Sequence, residues 1–197
     1  SIALAKKVQK AVGVDYSPKM IAAAERTAAQ LGIMNTEFLV RNWYDCSDHS
    51  FDGRFDLVFA HTTPAIADYG TFVKMIHSSR RYGLFCKPAR RTDEVFDQIR
   101  ELAGIKVKHD DASVAFAFDT LWGYGFNPEI SYQDTVWKSS KTIAEAETWY
   151  LGRLKGSTQL DEKTEQKIKE FLQRISNDGM VEETICTTLI NLFWEAR

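Results

Sequence analysis

Val12–Met20 reads VGVDYSPKM, a short apolar run that stops on an aspartate and passes at once to Ser and Pro. The run from Ala11 to Val14 has the length and character of a buried strand. Ser17 suits a helix N-cap, and Pro18 suits the first helical position, where no amide donor is needed. A helix is therefore predicted from this point, with Met20, Ile21, Ala24, Ala28 and Leu31 on one apolar face and Gly32 as its stop. Asp15 then ends the strand at its carboxyl edge, where open α/β sheets bind their ligands. A carboxylate there can accept hydrogen bonds from both cis hydroxyls of a ribose. The alternative is that Asp15 only caps the turn that follows it.

The same alternation extends outward in both directions. Residues 2–10 carry Ile2, Leu4, Ala5 and Val8 at near-helical spacing and lead into the Ala11 strand. Strands are predicted at Glu37–Val40, Phe55–Ala60 and Gly83–Lys87, with a polar turn around Asp48–Gly53, a helix over Tyr69–Arg81 and a break at Pro88. Strand and helix units at this interval imply right-handed crossovers and a doubly wound, mostly parallel sheet. Beyond Pro88 the pattern predicts helices over Thr92–Ala103 and Ala112–Tyr124 and a strand over Glu129–Trp137. Thr142 and Glu145 stand in capping-box spacing at the head of a helix to Leu154, and another helix covers Asp161–Ile175. A last strand, Glu183–Trp194, closes the chain. The helical stretch Thr142–Ser176 thus reads as an insertion between the final two strands of a single domain spanning residues 1–197.

Composition restricts the partners. The chain has 197 residues, 44% of them hydrophobic and 12% aromatic, enough for one substantial core. Its net charge is -2 with the cations scattered, which favours a small or neutral substrate over nucleic acid or an anionic membrane. No run approaches the ~20 apolar residues of a membrane span, and no secretion signal is visible, so a cytoplasmic location is expected. Cys46, Cys86 and Cys186 are odd in number and far apart, unlike a disulfide framework or a CxxC metal site.

The spacing of Asp15, Ser17, Pro18 and Met20 resembles that of the class I S-adenosylmethionine-dependent methyltransferases, whose second strand ends in an acid followed by Ser or Thr, Pro and Met. FDLVFAHTTP (Phe55–Pro64) is similar to the family's fourth strand and substrate-facing loop, and RYGLFCKP (Arg81–Pro88) to its fifth. The resemblance implies a Rossmann-like sheet whose last strand is antiparallel, with S-adenosylmethionine as cofactor. It puts the ribose on Asp15, adjoining Ser17, and gives Tyr16 and Met20 apolar contact with the adenine. Asn42 would read the adenine amino group through its amide oxygen, with Asp45 as the alternative. Trp43 would pack near the ring or present its backbone amide, or else serve as a core anchor. The family's glycine-rich loop is absent, while Ser1–Lys10 resembles the helix that follows it. A short strand and that loop are accordingly expected upstream of Ser1.

Methyl transfer is a direct displacement at a sulfonium carbon, so alignment of the acceptor and exclusion of water matter more than a metal or a strong base. His61 could deprotonate an acceptor or hydrogen-bond the cofactor. Thr62, Thr63, Asp68 and Tyr69 follow it as candidate acceptor contacts, although a solvated helix start accounts equally for Asp68 and Tyr69. Trp149, in the insertion, would line a substrate cover. His109 beside Asp110 and Asp111 reads better as a solvated acidic turn than as a metal site. An NAD-dependent oxidoreductase also needs an acid at Asp15, and a non-catalytic binding protein could keep the fold. The C-terminal strand pair and the Ser17, Pro18, Met20 spacing favour the methyltransferase over the oxidoreductase.

Overall fold

A computed structural model describes residues 1–45, 49–107 and 112–196. Strand β1 (Ala11–Asp15) pairs in parallel with β2 (Thr36–Val40), in a register running from Ala11 opposite Thr36 to Asp15 opposite Val40. The crossover between them is helix α2 (Pro18–Gln30). Ser17 caps it, its side chain accepting from the Met20 amide at 3.4 Å. Gly32 ends it at φ 65°, and the Gly32 and Ile33 amides donate back to Ala29 and Ala28. That paired closure is a Schellman motif, which requires a left-handed residue where glycine carries no penalty.

Helix α1 (Ile2–Ala5) is shorter than the sequence spacing over residues 2–10 predicts. The reason is tertiary. The Asn35 side-chain amide donates to the Ala5 carbonyl at 2.8 Å and the Val8 carbonyl at 2.9 Å, satisfying groups that a longer helix would have bonded internally.

Strand β3 (Phe55–His61) leads to helix α3 (Tyr69–Ser78), and β4 (Ser79–Asp93) follows. Helix α3 stops three residues before the predicted Arg81, and those residues open β4. Pro88 does not break β4, contrary to the sequence reading. Proline removes only its own donor, and the strand remains tied through the Thr187 hydroxyl, which donates to the Ala89 carbonyl at 3.1 Å. Arg90 takes up the local distortion at φ 50°.

The remaining elements are α4 (Glu94–Leu102), α5 (Ala112–Gly123), β5 (Glu129–Thr142), α6 (Ile143–Lys155), α7 (Glu162–Ile175) and β6 (Met180–Glu195). Among the described residues the strands form a β1-β2 sheet and a second sheet in the order β3-β4-β6-β5. β5 and β6 are antiparallel, so the chain is α/β with the expected antiparallel C-terminal strand. Thr142 and Glu145 make the predicted capping box, and Asp161 caps α7 by accepting from the Thr164 amide. No helix among the described residues is long and apolar enough to cross a membrane.

The chain divides into two compact units. One comprises Ser1–Leu84 with the chain end from Trp194, and the other Phe85–Phe193. In the first, Phe72, Met75, Ile76 and Trp194 are buried. In the second, Phe96, Ile99, Tyr150, Leu154, Ile168 and Leu172 centre one apolar cluster, each large side chain contributing roughly 1.5–3 kcal/mol. The Tyr150 hydroxyl donates to buried Glu183 at 2.8 Å, and burial together with that carboxylate raises the phenol well above its ordinary range.

Asp93 is the other buried acid of this unit. Burial pushes its carboxyl upward, but bonds and charges from Arg91 and Arg153 outweigh that and hold it below the usual carboxylate range. The sign follows from linkage: a depressed folded value stabilises above the unfolded value of about 3.9, and that stability is lost as pH falls through the folded value. The difference in urea midpoint between the native chain and Asp93→Asn should therefore be full at pH 7 and shrink below about pH 4. A pH-independent difference would show that Asp93 acts through shape alone.

Candidate functional site

The parallel register places the ends of β1 and β2 side by side, and the Arg41 amide donates to the Asp15 carbonyl at 2.9 Å. Asp15 is half-buried. Its Oδ1 accepts from the Ser17 amide at 2.8 Å, which fixes the carboxylate, while Oδ2 has no hydrogen-bond partner among the described residues. Asp15 thus makes the capping turn and keeps one oxygen for something else. Tyr16 and Met20 flank it at 72% and 60% exposure, leaving an apolar surface beside a carboxylate. That pairing suits a ligand with a hydroxylated ring and a flat apolar base, so the residues fit a nucleoside cofactor.

The turn after β2 is built by its own side chains. Asn42 Oδ1 accepts from the Tyr44 amide at 3.2 Å, and Asn42 Nδ2 donates to Asp45 Oδ2 at 2.7 Å. The Trp43 indole donates to the Thr71 carbonyl at 3.1 Å and stacks on Phe51 with centroids 5.9 Å apart. Lys74 Nζ closes the turn by donating to the Trp43 carbonyl at 2.8 Å. The indole of Trp43 is thereby an anchor that ties the β2 turn to α3.

Helix α3 begins with Asp68 as its cap. The carboxylate accepts from the Thr71 amide and hydroxyl, both at 2.8 Å, and these bonds hold its carboxyl below the ordinary range. Tyr69 beside it is 55% exposed. The sequence reading missed Thr71 and Lys74 as supports of this turn. The Asp-x-x-Thr spacing of Asp68 and Thr71 was the available signal for the first; nothing local signals Lys74, which reaches 31 residues back in sequence.

His61 is the last residue of β3 rather than a loop residue beyond it. Its ring lies 5.6 Å from Phe59, and Nδ1 is 3.2 Å from the Thr62 hydroxyl. Thr62 has φ 48°, a left-handed conformation that a β-branched residue enters only at a cost of about 1–3 kcal/mol. The strain falls at the carboxyl end of β3, among the candidate acceptor contacts. Thr63 Oγ1 accepts from the Ala65 amide at 3.1 Å. In the other unit, Trp149 on α6 is 53% exposed, with Lys141 Nζ 5.9 Å from its ring centroid. Cys46 and the His109, Asp110, Asp111 turn lie outside the described residues.

A parallel strand pair closed by a capped helix, with an acid at its carboxyl edge, defines a nucleotide-type α/β fold. Residues 1–108 match the model of the methyltransferase domain, and the chain belongs to that family. None of the curated proteins matches the sequence. Among solved structures, the chain is similar to the YcgJ protein of Bacillus subtilis, with 15% identity, a TM-score of 0.55, and 100% of this chain and 86% of that one covered. It is also similar to a candidate methyltransferase of Bacillus halodurans, at 14% identity and TM-score 0.56 over 98% of this chain and 86% of that one. A candidate type II methyltransferase of Anaeromyxobacter dehalogenans gives 12% identity and TM-score 0.55 over 98% and 83%. These likenesses establish a shared Rossmann-like methyltransferase fold.

Proposed function

We propose that this chain transfers a methyl group from S-adenosylmethionine to a small-molecule acceptor by direct displacement. The observation that carries the reading is Asp15: a carboxylate oriented by the Ser17 amide, with Oδ2 unbonded among the described residues, at the carboxyl edge of a parallel strand pair. The cofactor supplies a methyl group on a sulfonium, which needs alignment rather than activation by a metal. Asp15 holds the ribose hydroxyls, and exposed Tyr16 and Met20 cover the adenine. Asn42 lies beside the adenine amino group as its candidate acceptor, with Trp43 contributing backbone while its indole anchors the turn.

His61 bonds the cofactor or takes a proton from the acceptor. If Nδ1–H donates to Thr62, the lone pair stands on Nε2, which has no partner among the described residues. Thr62, Thr63 and Tyr69 contact the acceptor, and Asp68 positions Tyr69 by capping α3. Buried Cys86 and exposed Cys186, neither in a disulfide, suit a cytoplasmic setting.

Titration calorimetry with S-adenosylhomocysteine and with NAD tests the assignment. Binding of the first and not the second is expected. Binding of NAD alone would transfer the site to hydride chemistry, and binding of neither would leave a non-catalytic relative of the family.

A further inference from the structure

Strand β5 of the second unit is largely exposed along its whole length. It stands at the end of the sheet order, pairing on one side with β6. Of its fourteen residues eleven are exposed and none is buried. One face carries Ile130, Tyr132 and Val136 at 40%, 63% and 59% exposure, interrupted by Asp134 and Lys138. An open edge of this length presents a row of backbone donors and acceptors to any second strand. Proteins that keep such an edge single blunt it with lysine, proline or a bulge. β5 has no proline, and none of its residues has a positive φ.

We propose that β5 pairs antiparallel with β5 of a second copy, about a two-fold axis at Val136. A two-fold axis perpendicular to the sheet keeps each face on its own side, so only residues of the same face can oppose one another. With Val136 on the axis, Asp134 of each copy stands opposite Lys138 of the other, and Val136 covers its own mate. Opposite charges and paired β-branched residues at directly facing positions both favour the ladder. Glu129 falls diagonally from Lys141 in the same register. Moving the axis by two residues toward Asp134 or Lys138 would instead set like charges face to face. Lys138 suits this role because it has no ion-pair or hydrogen-bond partner among the described residues, and Asp134 makes only a bond from the Thr188 hydroxyl at 2.7 Å. The lysine that would guard a single edge becomes the complement that selects the partner and the register.

Sedimentation velocity of the full chain across a concentration series tests the pairing. A monomer–dimer equilibrium is expected. Lys138→Asp opposes two aspartates twice over and should weaken dimerisation at least tenfold, while the double reversal Asp134→Lys with Lys138→Asp should recover most of it. Val136→Lys, which places two ammonium groups at the axis, should abolish the dimer, with thermal unfolding confirming that each variant is folded. A monomer at all concentrations overturns the proposal. So does a dimer whose dissociation constant is unmoved by Lys138→Asp, or one that the double reversal does not restore.

Discussion

Gly83→Ala should destabilise the first unit by about 3 kcal/mol or more, the largest effect expected of any single methyl added to this chain. A Cβ at Gly83 would lie 1.9 Å from Trp194 Cζ2 and 2.1 Å from Cε2, well inside van der Waals contact. The indole has nowhere to go. It is fully buried, and its ring packs against Phe72 with centroids 6.0 Å apart. Its Nε1 has no acceptor among the described residues, so shape rather than a hydrogen bond holds it in place. Domains of this size carry roughly 5–15 kcal/mol of net stability, so the loss would be a large fraction of it. The cause can be isolated by a double-mutant cycle followed by circular dichroism in urea. In a Trp194→Leu background, Gly83→Ala should cost less than about 1 kcal/mol, because the clashing ring is gone. Equal costs in both backgrounds would place the strain in the backbone instead.

The Gly83–Trp194 contact also marks where sequence reading reaches its limit. The caps at Ser17 and Thr142 were legible because each bond closes within three residues, and the residue types alone specify it. The close approach of Gly83 to Trp194 joins positions more than a hundred residues apart, so GLFCK reads as an ordinary strand with a weak first residue. The same separation explains α1 and β4. Asn35 shortens the first through bonds across 30 and 27 residues, and Thr187 supports the second across 98. In both cases a distant side chain overrides a correct local preference.

The candidate site divides along the same line. Asp15 was legible as the acid at a strand end, and the capping role is the one its bonding displays: Oδ1 makes the turn, while Oδ2 has no hydrogen-bond partner among the described residues. Trp43 was legible only as a choice between ligand contact and anchor, since its acceptor on Thr71 lies 28 residues on. The left-handed Thr62 had no signal at all, because a β-branched residue is among the least suited to that conformation. A local rule broken at the end of β3 is the kind of exception that functional sites carry.

On the proposed binding mode, Asp15→Ala should weaken binding of S-adenosylhomocysteine by roughly 1.5–3 kcal/mol, tenfold to a hundredfold or more, since it would remove charge-assisted bonds to two ribose hydroxyls. The alanine also removes the bond from the Ser17 amide at 2.8 Å, so part of any loss could come from a loosened turn before α2. Asp15→Asn separates the two contributions. Asparagine serves an Asx turn as well as aspartate does, and its oxygen still accepts from Ser17. Its other group is a neutral NH2 that can donate but not accept, so the ribose loses both the charge and an acceptor. The expected pattern is wild-type thermal stability for Asp15→Asn with affinity reduced nearly as far as in Asp15→Ala, measured by calorimetry on the full chain. An asparagine variant that binds as tightly as the native chain would reduce Asp15 to its capping bond. The acid at the end of β1 would then be a feature of the turn, and the cofactor's ribose would have to be held by other residues.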